Sequence, residues 1–285
     1  LLLAFQISIM YIKSMFSYVK GDKYMDKLAG RVTTETRGHV YLMGLDRVAK
    51  YNGVTPKMFA ELNAAYAELD RNPDLWVGVL FGHGPHTTAG IDLPKFFTAM
   101  KEGRDPFRAE GVDAFGLHKK CRKPLVCAVQ GITYTVGIEL MLACDIVVAA
   151  SDCRFSQLEP KRGIAAVAGA TIRFVQRCGW GNAMYHLLRS DEFNADEAYR
   201  VGLVQEVVEP GRQLERAIEI AEEIAKCAPL AVQETKASSM RYVEDGEAAA
   251  IAQFAETQRR LAATQDAAEG VASFKERREA RFTGR

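Results

Sequence analysis

Five short apolar runs constrain this fold more than any other feature of the chain. VYLMGL (40–45), VGVLF (77–81), LVCAV (125–129), IVVAA (146–150) and LVQEVV (203–208) carry β-branched residues and are bounded by Gly, Pro or charge. Those properties predict strands. Helical patterns lie between them. Thr55-Pro56 supplies an N-cap and an N1 proline for a helix running to about Leu69. Asn194 with Glu197 has the form of a capping box that opens a helix before Gly202. Strand–helix alternation over residues 25–205 predicts an α/β core. With 285 residues and 48% hydrophobic composition, the chain can bury a sizeable core. One large domain, or one domain with an appendage, is expected.

From Pro210 onward the pattern turns helical, over 211–227, 230–241, 243–263 and 266–279. Asp266 and Glu269 mark a helix start. Amphipathic helices at the end of a chain need a surface to cover, either their own core or a neighbouring subunit. Residues 1–24 are expected to precede the domain, which would begin near Met25. Their apolar run breaks at Lys13, short of the ~20 residues a spanning helix needs, so no membrane partner is expected, a membrane anchor being the weaker alternative. A net charge of +1 provides no global basic field, and nucleic acid is not an expected partner. The cysteines at 121, 127, 144, 153, 178 and 227 form no CxxC pair and no zinc pattern. Reduced thiols in a cytoplasmic protein, with no metal site, are expected.

Candidate chemistry sits in three segments. HGPHTTAGIDL (83–93) follows a predicted strand, and its glycines allow successive N–H groups to face a cavity. Read alone it is also an ordinary surface turn, with His83 and His86 as loop histidines. GITYTVGIELMLACD (131–145) follows strand 125–129, and IELMLAC looks like a short buried helix. N–H groups near Val136 and Gly137 would point out of its first turn, where Glu139 also lies. Glu139 alone could simply stabilise that helix terminus. Glu159 follows a short strand around Phe155. Two carboxylates beside aimed N–H donors could move protons next to a polarised carbonyl. KKCRK (119–123) reads as a solvated helix end or a phosphate contact.

Taken in order, these segments resemble the crotonase superfamily, the enoyl-CoA hydratase/isomerase group. TTAGIDL (87–93), QGITYTVGIELMLACDIVVA (130–149), FSQLEPKRGI (155–164), GATIRFVQRCG (169–179), ADEAYRVGLVQEVV (195–208) and SFKERREARF (273–282) carry the resemblance, which spans about residues 35–282. It implies a crotonase-like spiral of ββα units over 25–209, with a helical C-terminal trimerisation region over 210–285. It assigns the oxyanion N–H groups to Ile91 and Val136, and the acid/base carboxylates to Glu139 and Glu159. It matches Phe274 and Arg277 to positions that help hold coenzyme A, sometimes across a subunit boundary. It implies hydration of a 2-enoyl-CoA thioester, with coenzyme A as part of the substrate and no separate cofactor, by a homotrimer or homohexamer. Alternatives on the same fold are an enoyl-CoA isomerase, another acyl-CoA lyase or hydrolase, and a non-catalytic acyl-CoA-binding protein. Three departures bear on substrate choice. Thr135 and Val136 stand where the family usually has glycines, Ile164-Ala165-Ala166 lacks a usual proline, and Ile91 is bulkier than the usual alanine.

Overall fold

The computed structural model describes residues 29–105, 107 and 111–285; the expected extension over 1–24 lies outside them. The described chain opens with a hairpin. β1 (Arg31–Arg37) runs antiparallel to β2 (Val40–Asp46) through a turn in which Gly38 has a φ of 56°. β1 has no apolar run. RVTTETR lies at the sheet edge, largely exposed, so it lacks the signal that marks the other strands.

β2 is followed by β3 (Val77–Gly82), β4 (Leu125–Val129), β5 (Ile132–Tyr134), β6 (Ile146–Ala150), β7 (Arg154–Ser156), β8 (Phe193–Asn194) and β9 (Glu206–Val208). The main sheet has the order β1-β2-β3-β4-β6-β9, parallel from β2 onward. Parallel strands are covered on both faces, which is why these runs are continuously apolar rather than alternating. The run expected at 203–208 shortens to β9. Leu203 and Val204 spend their N–H groups on the carbonyl of Ala198, closing the preceding helix. β5, β7 and β8 form a second, small sheet.

Ten helices occur among the described residues: α1 (Pro56–Arg71), α2 (Leu93–Lys101), α3 (Val136–Ala143), α4 (Ala170–Arg189), α5 (Ala195–Arg200), α6 (Gln213–Ala225), α7 (Pro229–Asp245), α8 (Glu247–Ile251), α9 (Phe254–Ala262) and α10 (Gln265–Glu276). Thr55 caps α1 by accepting from the Met58 N–H at 3.2 Å, and Asn194 caps α5 by accepting from Glu197 at 3.0 Å. The helix expected over 243–263 is broken. α7 continues to Asp245, and Gly246, at φ 86°, separates it from α8 and α9. α10 is capped by Thr264. It starts where Asp266 marks it, and Asp266, in the first turn, also ties down the chain end, accepting from Thr283 at 2.7 Å and Gly284 at 2.9 Å. KKCRK is an irregular lead into β4 rather than a helix end. Arg122 reaches Asp70 at 3.2 Å, and Lys123 is buried and donates to the Asn72 carbonyl.

The sheet separates two apolar layers. On one face α6 buries Ala217, Ile220 and Ala221 against Val40, Leu42, Val79, Val126, Ala128 and Val148. The i, i+3, i+4 spacing of those helix residues makes one stripe, and each fully buried branched side chain contributes about 2 kcal/mol. On the other face α1, α3 and α4 build the larger layer around Met43, Leu62, Tyr66, Phe115, Met141 and Phe174. The loops that carry the candidate chemistry emerge beside this second layer, at the carboxyl ends of β3 and β4, where parallel α/β sheets bind ligands.

Candidate functional site

The two glycine-punctuated loops leave adjacent parallel strands and are zipped together. Thr87 N–H donates to the Gln130 carbonyl at 2.9 Å, Thr88 N–H to Ile132 at 3.1 Å, and Tyr134 N–H to the Thr88 carbonyl at 3.0 Å. Ile132 N–H donates to Nδ1 of His86 at 3.1 Å, and His86 stacks on Tyr51. His83 Nε2 lies 2.7 Å from Thr33 Oγ1. Both histidines therefore serve the loop. Among the described residues no group of His, Cys, Asp and Glu side chains could hold a metal ion. Gly131, at φ 50°, has no substitute here, because a methyl group would overlap the Pro85 carbonyl and the His86 ring.

Ile91 forms a parallel bridge with Val54. Val54 takes its bonds from the residues on either side: its N–H donates to Gly90 at 2.9 Å, and its carbonyl accepts from Asp92 at 2.8 Å. In a parallel bridge that pattern turns the intervening N–H the other way. Ile91 N–H finds no acceptor among the described residues. The second loop ends at Thr135, which starts α3. Its N–H donates to the Ser156 carbonyl at 2.9 Å, and its carbonyl accepts from Ile138 at 2.9 Å and Glu139 at 3.1 Å. The N–H groups of Val136 and Gly137, in the first turn, have no acceptor among the described residues. The loops touch at their tips, since a methyl group on Gly90 would overlap Thr135 Oγ1.

Both glutamates sit beside this junction. α3 is apolar on all sides, so it is a buried helix, and Glu139 is carried into the interior on its first turn. Its Oε1 accepts from the backbone N–H groups of Ala168 at 2.8 Å and Ala170 at 3.1 Å. Burial raises the Glu139 carboxyl to about 7, against the lowering effect of those N–H groups, and the nearby Glu159 charge adds to the rise. Glu159 follows β7, which pairs in parallel with β5 at Tyr134 and Ser156. That pairing brings the residues five and three positions further on, Glu139 and Glu159, close enough for the charge of one to act on the other. Glu159 is buried, its Oε2 has no partner, and desolvation raises its carboxyl as well. Burial makes both carboxyls hold a proton more tightly than exposed ones do, which suits them to proton transfer.

Four of the six candidate residues, Ile91, Val136, Glu139 and Glu159, thus belong to one pair of joined loops and the strand beside them. Phe274 and Arg277 stand apart. Phe274 is 85% exposed near the end of α10, and Arg277 caps that helix with a φ of 55°. No hydrogen bond or ion pair among the described residues joins either to the glutamates. Two features escape sequence reasoning. The Ala168 and Ala170 N–H groups hold Glu139, and the only local signal is Gly169 (φ 114°) at the start of α4. Gln157 is buried two residues before Glu159, with neither polar atom of its amide partnered; nothing in its local pattern distinguishes it.

Comparison with known proteins identifies the family. The family model for enoyl-CoA hydratase/isomerase matches residues 35–285. A mevalonyl-coenzyme A hydratase of Aspergillus fumigatus is 32% identical, over 84% of this chain and 90% of its own length. A crotonyl-CoA hydratase of Syntrophomonas wolfei is 32% identical, over 88% of this chain and 97% of its own. The crystal structure of a probable enoyl-CoA hydratase/isomerase from Mycobacterium abscessus superposes with a TM-score of 0.87 at 42% identity, covering 89% of this chain and 98% of that one. The α/β architecture with its C-terminal helices is therefore the crotonase fold. The chain is an enoyl-CoA hydratase-like enzyme and belongs to the enoyl-CoA hydratase/isomerase family of the crotonase superfamily.

Proposed function

We propose that this protein adds water across the double bond of 2-enoyl-CoA thioesters. The observation that carries the proposal is two backbone N–H groups without acceptors, Ile91 and Val136, next to two buried carboxyls, Glu139 and Glu159. The thioester oxygen accepts from both N–H groups. A water held by Glu139 gives a proton to that carboxylate as its oxygen bonds to the β-carbon. The electron pair of the double bond moves toward the carbonyl, and enolate charge collects on the oxygen between the two donors. One such donor is worth ~3 kcal/mol in the transition state. Glu159 then delivers its proton to the α-carbon and the carbonyl re-forms. One carboxyl has gained a proton and the other has lost one, so the net change is addition of water. Proton return from Glu139 to Glu159, directly or through solvent, resets the site. The chemistry uses no metal or redox cofactor, and coenzyme A enters as the substrate's handle, whose remote binding energy positions the acyl group.

The test is a steady-state panel of crotonyl-CoA and longer or branched enoyl-CoAs, with products separated by chromatography. The expected product is the 3-hydroxyacyl-CoA. A 3-enoyl-CoA would identify an isomerase, free coenzyme A a hydrolase, and binding without turnover a non-catalytic acyl-CoA protein.

We also propose that Phe274 and Arg277 act across a subunit boundary in a homotrimer or a hexamer of two trimers. Support comes from the exposure of Phe274, Tyr242, Ile251, Phe254 and Val271, large apolar side chains on the C-terminal helices that one chain leaves uncovered. Light scattering on the full chain should return a trimer or hexamer mass; a stable monomer at micromolar concentration would overturn the assignment. The six cysteines are all unpaired, which fits the reducing setting of a cytoplasmic enzyme. No helix among the described residues is long and apolar enough to cross a membrane.

A further inference from the structure

Thr135 is an N-cap residue that does not cap. It opens α3, yet its side chain accepts no hydrogen bond from the helix. The reason is its backbone. A capping Ser or Thr has an extended conformation that swings its oxygen over the first-turn N–H groups. Thr135 has φ 49° and ψ −114°, a region that β-branched residues avoid. Its carbonyl, rather than its side chain, receives the Ile138 and Glu139 N–H groups. The hydroxyl is turned outward, onto Gly90 in the other loop.

The hydroxyl has no hydrogen-bond partner among the described residues, and the side chain is only partly buried. A hydroxyl carries one O–H to donate. Gly90, on which it rests, immediately precedes Ile91, and Thr135 immediately precedes Val136. Three unspent donors therefore stand side by side at the junction of the loops: Ile91 N–H, Thr135 O–H and Val136 N–H. The protein supplies an acceptor to none of them. Backbone strain of this kind persists only where the surroundings over-determine it, and it gathers at ligand sites. Here the Thr135 N–H is pinned to Ser156 at 2.9 Å, and its carbonyl is pinned by two bonds.

We propose that the Thr135 hydroxyl is a third donor to the substrate's thioester oxygen, making this oxyanion pocket part side chain and part backbone. The proposal rests on the enoyl thioester reading and extends it. In the free protein the O–H meets solvent. With substrate bound it points at the oxygen already held by Ile91 and Val136, and its bond shortens as enolate charge develops. Because that charge is larger in the transition state than in the bound substrate, the hydroxyl acts on kcat more than on KM.

The test compares T135V, which keeps the branched shape and removes the O–H, with T135S, which keeps the O–H. Each is measured for kcat and KM on crotonyl-CoA and for the absorption maximum of a bound aryl-conjugated enoyl-CoA, which moves to longer wavelength as the carbonyl is polarised. Thermal melting confirms that both variants fold. The expected result is a fall in kcat of about 10- to 100-fold for T135V with KM little changed. The wavelength shift should also be smaller in T135V, and T135S should stay near wild type in both readouts. T135V matching wild type in both overturns the proposal. So does an equal fall in T135V and T135S with an unaltered shift, which would mean that side-chain bulk and loop shape matter and the O–H does not. If the wild-type protein hydrates no enoyl-CoA, the hydratase proposal fails by itself, and the absorption shifts of the bound thioester still decide the role of Thr135.

Discussion

Replacing Glu159 with glutamine is expected to lower turnover of crotonyl-CoA by about 1,000-fold, and replacing Glu139 with glutamine by a similar factor. A thousandfold loss corresponds to about 4 kcal/mol of transition-state stabilisation. Each substitution keeps side-chain size and hydrogen-bonding capacity while removing a group that can exchange a proton. Binding of the saturated product analogue should change little, because neither carboxyl is needed to hold coenzyme A. The two losses will not add, since a site lacking either proton carrier has already lost the concerted path. The pH profile supplies a second check. As the proposed base, Glu139 must be ionised to accept the proton of water, and its carboxyl is raised to about 7 by burial. The kcat/KM value of the wild-type protein should therefore fall as pH drops below about 7, with a limb that disappears in the Glu139→Gln variant. Activity at wild-type level in both variants, with the fold intact, would remove both residues from the mechanism.

The same Glu139→Gln substitution is expected to make the protein more stable at alkaline pH. Glu139 has an ordinary carboxyl value of 4.5 when unfolded and about 7 when folded. Between those values the folded state holds the proton and the unfolded state does not, so unfolding releases it. Stability then falls as pH rises from about 4.5 to about 7 and levels off above, which is the opposite of a salt-bridged carboxylate. The span of roughly 2.5 units corresponds to about 3 kcal/mol. Glutamine presents the same acceptor oxygen to the Ala168 and Ala170 N–H groups, and it never carries the buried charge. Chemical denaturation should show the variant ahead by about 3 kcal/mol at pH 8, with the gap closing near pH 4.5. In melting experiments this would be a gain of about 6 to 12 °C for a chain of this size. A variant no more stable than wild type at pH 8 would mean that Glu139 carries no desolvation penalty, and its proposed tuning as a base would go with it. Together the two results would describe a residue that lowers stability for the sake of its chemistry.

Local chemistry made much of the architecture legible. Val77–Phe81, Leu125–Val129 and Ile146–Ala150 are strands because continuous apolar, β-branched runs suit a sheet buried on both faces. Thr55 and Asn194 cap helices because their short oxygens reach first-turn N–H groups whatever lies around them. Where tertiary context decides, local pattern fails. β1 is a strand only because β2 lies beside it, and Asp266, in the first turn of the helix it marks, also binds the returning chain end. α7 runs past its expected end at 241 to Asp245 and stops at Gly246, whose φ is 86°.

The candidate site divides in the same way. The identities of Ile91, Val136, Glu139 and Glu159, the strand–loop–helix grammar around them and the family they resemble can all be read along the chain. Only the folded chain decides which N–H groups are left without acceptors, because that depends on what Val54 and Ser156 have already taken. Only the folded chain raises a carboxyl at position 139, because proton affinity answers to the surrounding dielectric and to a second charge twenty residues away. The Thr135 hydroxyl belongs to that second class as well. A positive φ imposed by its neighbours turns it onto Gly90 of the other loop and away from the helix N–H groups.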